Sequence, residues 1–226
     1  MSGFDHFRYE WFDPYGPFAP LHHINATRLA FVMDQLPTNQ ASMDCLDVGC
    51  GAGIFTTAFA KKVKTAHVSG IDASEHAIAL AKAYAELCRI NIHYMQKKAE
   101  ALSNSQYDFI TCLELIEHVD HPQTLVAQLM ANLKPNGQII FSTLNRTWSS
   151  FIKNIFLAED VLGIIPAGTH DFRQFIKPHE LASWCHHAGL TLKSMSGIVI
   201  DPITYQAQLS QSNFDNYIMA FERLPS

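Results

Sequence analysis

Leu46-Asp47-Val48-Gly49-Cys50-Gly51-Ala52-Gly53, with Val68-Ser69-Gly70-Ile71-Asp72 downstream, decides the fold. The first apolar run ends in an acid and breaks into glycines at every second position. The second apolar run also ends in an acid. Two parallel strands whose carboxyl ends open on one pocket give that pattern. Gly49 and Gly51 lack the side chain that would hold a ligand away from the backbone.

The order G-x-G-x-G puts Ile54 at the third glycine position of G-x-G-x-x-G, so the dinucleotide fingerprint is incomplete. Asp47 is expected at the mouth of the loop, awkward for a pyrophosphate and suited to a cationic cofactor. S-adenosylmethionine, with its sulfonium and ammonium, answers that description better than a nicotinamide dinucleotide. Asp72, at the end of the second strand, is placed to accept hydrogen bonds from both ribose hydroxyls.

Outward from this centre, strands and helices alternate. Leu21 to Leu36 is helical by its apolar spacing, and Pro37 ends it. Strands are expected at Met43–Val48, His67–Asp72, Ile92–Gln96, Tyr107–Leu113 and Gln138–Thr143. Helices are expected at Ile54–Val63, after the cap Ser74, and at Pro122–Leu133, with a turn at Lys134-Pro135-Asn136-Gly137. A helix over Pro178–Ala188 precedes two strands, Leu190–Ile200 and Asn216–Glu222, joined by a loop and so antiparallel. The expected architecture is α/β and Rossmann-like: a seven-stranded, mostly parallel sheet with an antiparallel terminal hairpin. It forms one domain over 1–226, and the apolar segment 145–171, which has no strand signature, is a helical lid insertion.

The chain has 226 residues and a formal net charge of −5. It has no Lys/Arg cluster, which argues against nucleic acid. Its five cysteines form no CxxC pair, as expected of reduced thiols in a cytosol, and Cys45, Cys50 and Cys112 read as small core residues. The amino terminus has no basic region leading into an apolar one, so no secretory signal is expected.

Glu114, Glu117 and His118 follow the fourth strand at the carboxyl edge of the sheet. If the segment opens a helical turn, they share one face. Three readings stay open for them: a local hydrogen-bond cluster, a divalent metal site, or His118 as general base. His22 and His170 are further candidates for the base.

Other stretches carry a more specific signal. They are Pro20-Leu21-His22 with Ile24-Asn25 and Arg28, Thr143-Leu144-Asn145-Arg146-Thr147, Gly168-Thr169-His170-Asp171 with Phe175-Ile176-Lys177-Pro178, Gly197, Pro202 and Asn216-Tyr217. In these, over nearly its whole length, the chain resembles the ubiquinone-biosynthesis O-methyltransferases, bacterial type. The resemblance implies the class I S-adenosylmethionine-dependent methyltransferase fold and O-methylation of polyprenylated phenols and catechols at both O-methylation steps. It implies cofactor contacts at Arg28, Gly49, Asp72 and Leu113, which add to Gly51, and Arg28 would meet the methionine carboxylate. It also implies a divalent metal, such as magnesium, at Glu114, Glu117 and His118. His118 and His170 are the catalytic candidates. His23 departs from the usual Arg, Ala52 from a common fourth glycine, and Asp201 from Asn.

Trp148, Phe151, Ile152, Ile155, Phe156 and Leu162 fall near one helical face of the insertion. The resemblance implies peripheral attachment through it to the membrane surface that holds the substrate, on the inner face of the bacterial cytoplasmic membrane. Other proteins of the pathway are possible partners under the same resemblance. Competing functions are methylation of a soluble phenolic acceptor, a cofactor-binding scaffold subunit, and an NAD oxidoreductase.

Overall fold

Met43–Val48 forms β1, buried at every position except Asp44, as a central parallel strand covered on both faces must be. The computed structural model describes residues 11–16, 19–37, 42–102, 105–147, 174–201 and 204–224. The helices are α1 (Ala19–Gln35), α2 (Ile54–Lys62), α3 (Glu75–Leu87), α4 (Pro122–Ala131) and α5 (Pro178–His187). The further strands are β2 (Ala66–Asp72), β3 (His93–Gln96), β4 (Tyr107–Leu113), β5 (Leu133–Leu144), β6 (Leu190–Ile200), β7 (Ala207–Ser210) and β8 (Asn216–Arg223). Short 3-10 turns occupy Ala99–Ala101 and Ile116–His118.

The sheet runs β3-β2-β1-β4-β5-β8-β6-β7. β1 to β5 are parallel, and β8, β6 and β7 add on antiparallel. Chain order reverses between β1 and β4, which leaves a crevice at their carboxyl ends. One face of the sheet packs Ile24, Phe31 and Val32 of α1 and Phe55 and Phe59 of α2 onto Phe109, Ile140 and Ile218. The other packs Leu125 and Leu129 of α4 and Leu181 and Cys185 of α5 onto Ile110, Phe141 and Phe221. α3 lays Ile78, Ala81 and Ala85 beside Tyr94 of β3. Its cap is as the sequence implies: the Ser74 hydroxyl accepts from Ala77 N–H at 3.2 Å.

Among the described residues the sheet has eight strands where seven are expected. The additional strand is β7, which pairs with β6 from Gly197↔Ser210 to Ile200↔Ala207. Ala-Gln-Leu-Ser has too little apolar content to announce an edge strand. It is held by backbone pairing and by the Thr27 hydroxyl, which donates to the Ala207 carbonyl at 2.8 Å. Gly197 is needed there because a Cβ would overlap the Asn213 carbonyl. β5 also starts earlier than expected, and its register against β4 shifts at the Lys134–Gly137 turn, where Asn136 has φ 62°.

The insertion, 145–171, lies outside the described residues from 148 onward, and the chain is described again from residue 174. Thr147 Oγ1 donates to Asp215 at 2.8 Å, and Arg146 Nε donates to the Phe175 carbonyl at 2.7 Å. Arg146 also pairs with Glu180 at 3.1 Å. Ile176 N–H donates to the Leu144 carbonyl at 3.1 Å, and the buried Tyr217 hydroxyl donates to the Ile176 carbonyl at 2.9 Å. Segments far apart in sequence thus close into one hydrogen-bonded cluster. Tyr217→Phe would strand the Ile176 carbonyl in the core, and is expected to cost about 1–2 kcal/mol in urea denaturation. An unchanged midpoint would show that this hydroxyl is not structural.

Candidate active site

The glycine loop is tied to the end of β2. Gly49 and Cys50 N–H both donate to the Ile71 carbonyl, at 2.8 and 2.9 Å. Gly49, Gly51 and Gly53 have φ of 74°, 52° and 78°, a region open to glycine and strained for other residues. Their surroundings differ. A Cβ at Gly53 would strike the Tyr94 hydroxyl, and one at Gly49 would crowd Leu115. A Cβ at Gly51 would meet nothing within 4 Å. Gly51 is therefore where a ligand has room to approach the loop.

Asp72 stands at the end of β2 and closes that space. One carboxylate oxygen accepts from Gly51 N–H at 3.0 Å and the other from Ser74 N–H at 2.8 Å. Each oxygen keeps a second lone pair, which suits it to the two hydroxyls of a ribose.

Asp47 is not at the mouth of the loop, as its place in the sequence suggested, but beneath it. It is 5 % exposed. Thr56 of α2 donates to one of its oxygens at 2.5 Å and Thr111 of β4 to the other at 2.7 Å. Burial pushes its pKa up to about 6, with the two hydroxyls pulling the other way. Any effect of Asp47 on a cation is exerted through the field, not by contact. Neither threonine was identified from the sequence. The signal was present for Thr111, a lone polar residue in an apolar strand, which pairs in register with Asp47.

Arg28, on α1, is buried at 6 % exposure. One terminal nitrogen meets Glu114 Oε1 at 2.8 Å and the other donates to Asn25 at 3.2 Å. Its Nε–H is buried without a partner. An orphaned guanidinium donor at the open edge of the sheet fits a ligand carboxylate. Leu113, half-buried, ends β4 beside it. Arg28, by its ion pair with Glu114 just past β4, and Gly51 and Asp72, at the ends of β1 and β2, all stand at the carboxyl side of the sheet, where a guanidinium could meet a ligand carboxylate and Asp72 ligand hydroxyls.

Glu114 and Glu117 stand close enough for their carboxyls to hydrogen-bond, while His118 faces solvent. Glu114 has φ 54°, and the following turn is 3-10, not α. The Glu114 carboxylate faces Arg28 and accepts from the Ser142 hydroxyl at 2.8 Å. Glu117 is buried, and burial, then the neighbouring Glu114, holds its carboxyl well above the usual range. His118 is exposed. Among the described residues no three of His, Cys, Asp and Glu converge on a point that could hold a metal. Glu114 is paired with a guanidinium and His118 faces solvent, so the described residues do not arrange this donor set as a ready cation site.

His22 contacts the Trp11 carbonyl through Nε2 at 3.1 Å. His23 contacts the Tyr205 carbonyl through Nδ1 at 3.0 Å, a structural link between α1 and the approach to β7. His170, with Gly168-Thr169-His170-Asp171, lies outside the described residues.

Comparison with known proteins agrees with this geometry. A family model described as "Methyltransferase domain" matches residues 21–194. A ubiquinone biosynthesis O-methyltransferase of Coxiella burnetii is 38% identical over 223 residues, covering 98% of this chain and 94% of the relative. One from Methylococcus capsulatus is 41% identical over 218 residues, covering 95% and 90%. Among solved structures, magnesium protoporphyrin IX methyltransferase from Synechocystis PCC 6803, with bound SAH, superposes with a TM-score of 0.68 at 18% identity, covering 98% of this chain and 94% of the other.

The Asp47 clamp has a measurable pH signature. With its pKa at about 6 in the folded protein, Asp47 binds a proton more tightly there than in the unfolded chain. Its contribution to stability is therefore present at low pH and is lost as pH rises from about 4 to about 6, to an upper limit of about 3 kcal/mol. Asp47→Asn keeps the shape and removes the titration, so the difference in stability between wild type and variant should change across that window. A difference independent of pH would contradict the assignment.

Proposed function

The chain belongs to the ubiquinone biosynthesis O-methyltransferases, and from that premise we propose that it carries out both O-methylation steps on polyprenylated phenol and catechol intermediates. It is an S-adenosylmethionine-dependent O-methyltransferase. The substrate assignment rests on relatives that carry that name along almost the whole chain. Arg28, Gly49, Gly51, Asp72 and Leu113 are the residues that hold the methyl donor, and the orphaned Nε of Arg28 is the observation that favours this most.

The donor supplies a methyl group on a sulfonium, and the protein has to bring a phenolic oxygen into line with it. Positioning of that kind lowers a barrier by about 7–11 kcal/mol. The proton is the second difficulty. A phenol with a pKa of about 10 is ionised to about one part in a thousand at neutral pH, a deficit of about 4 kcal/mol. His118 and His170 are proposed to take the proton. His118 supports this role by being an exposed imidazole just beyond β4, on the donor side of the sheet. Glu114 and Glu117 serve to orient Arg28 and order the turn, which is the local-cluster reading of those carboxylates. The metal implied by the resemblance finds no support in their arrangement.

A polyprenyl tail keeps its ring in a bilayer, so the enzyme gains by resting on the surface. We place that contact on the apolar face of the 145–171 insertion, through Phe151, Ile152 and Phe156. No helix among the described residues is long and apolar enough to cross a membrane. The attachment proposed is peripheral, on the cytoplasmic side.

Incubation of the protein with isotope-labelled donor and a demethylated polyprenyl quinol should place label on the quinol oxygen. Transfer to a tail-less catechol with equal kcat/KM would instead favour the soluble-acceptor reading. Asp72→Ala should weaken donor binding by at least ~10-fold in calorimetry, and an unchanged Kd would overturn the pocket. His118→Ala should lower kcat by ~100-fold or more with donor binding intact. A kcat unaffected by that change would pass the base role to His170.

A further inference from the structure

A second concave site lies at the opposite edge of the sheet. The groove, of about 780 Å³, opens where β2 and β3 begin and is lined by Lys61, Lys64, His67, Arg89 and His93. The groove is lined along β2 as far as Ser69, three residues short of Asp72, so about 10 Å of strand separates it from the donor crevice. No carboxylate lines it, although the chain carries a net charge of −5. Among the described residues neither Lys64 nor Arg89 has an ion-pair partner. Lys61 is held in place, its ammonium 3.2 Å from Cys88 Sγ and 5.7 Å from the centre of the Tyr84 ring.

Cations at helix carboxyl ends have an ordinary explanation, since they offset the helix dipole. Here α2 ends at Lys62 and α3 at Leu87, both beside the groove. Two dipole ends amount to about one negative charge. Lys61, Lys64 and Arg89 supply three positive charges, before the imidazoles are counted. The surplus is about two.

Arg89 gives an independent indication. α3 closes with Arg89 N–H donating to Glu86 and Ile90 N–H to Ala85, both at 2.9 Å. In that arrangement the residue after the cap is left-handed and glycine is favoured, yet Arg89 sits there with φ 56°. An arginine thus takes a left-handed backbone that favours glycine, and its residue lines the cationic groove.

We propose that this groove binds a soluble multivalent phosphate, of the pyrophosphate or nucleoside polyphosphate class, at a site separate from methyl transfer. The volume is that of a small-molecule pocket. Its concave form favours a compact anion over a flat bilayer, and the overall negative charge disfavours a nucleic acid.

The test is calorimetric titration of the full chain with inorganic pyrophosphate and with ATP at low salt. Wild type should bind at least one of them. Arg89→Gly should weaken binding by ~10-fold or more without lowering Tm, because glycine relieves the left-handed strain. Lys64→Gln, on the exposed side of the groove, should weaken it comparably. Co-sedimentation with phosphatidylglycerol vesicles separates the two sources of phosphate. Absence of binding to either soluble anion, affinity retained in both variants, or binding to vesicles alone would each overturn the proposal.

Discussion

A carboxylate without water holds the centre of this protein together. Asp47, next to last in β1, is buried, so it must be satisfied by the elements packed around it, and α2 and β4 each provide a hydroxyl. Three elements are thereby fixed to one side chain at the point where chain order reverses. The glycine loop between β1 and α2 inherits its position from this clamp. Tyr94 completes it from the far side, filling the space that side chains at Gly53 and Gly70 would need. The ring dictates two glycines, the clamp dictates the loop's height, and of the loop's three glycines Gly51 faces open space.

The crevice is bordered on its other side by a strained residue. Glu114 takes a left-handed backbone and uses it to turn its carboxylate back to Arg28 and Ser142. A helix from the amino terminus is thus joined electrostatically to the end of β4. Arg28 keeps one donor unspent. Burial of a guanidinium is tolerable only with partners, and a pair with one vacancy is suited to receive a carboxylate without rebuilding the core.

Most of the sheet was legible in the sequence because parallel strands covered on both faces leave unbroken apolar runs, and because Ser74, Pro122 and Pro178 punctuate the helices. The glycine loop and Asp72 stand out in the sequence for a related reason: glycines and acids at strand ends have few other uses. What escaped notice depends on through-space pairing. Thr56 and Thr111 look like ordinary polar residues until register brings them to Asp47. β7 has almost no apolar signal and exists because β6 offers an open edge. The α-turn assumed for Glu114, Glu117 and His118 is a 3-10 turn entered through one positive φ, which keeps the two carboxyls together and leaves His118 exposed. Arg89 could not be recognised at all without the backbone that makes it costly.

The cluster around Arg146, Phe175 and Tyr217 has a consequence for how such an enzyme can change. Both ends of the stretch between residues 148 and 173 are bound to the same small set of carbonyls and carboxylates. The entropy of bringing those ends together is met by the cluster, and it grows only slowly with the length enclosed. Substitutions or insertions within the stretch therefore leave the register of β5 and β8 undisturbed. Selection can rework which acceptor is admitted while the donor side of the sheet stays constant, so that specificity and methyl-donor recognition evolve as separate traits in one chain.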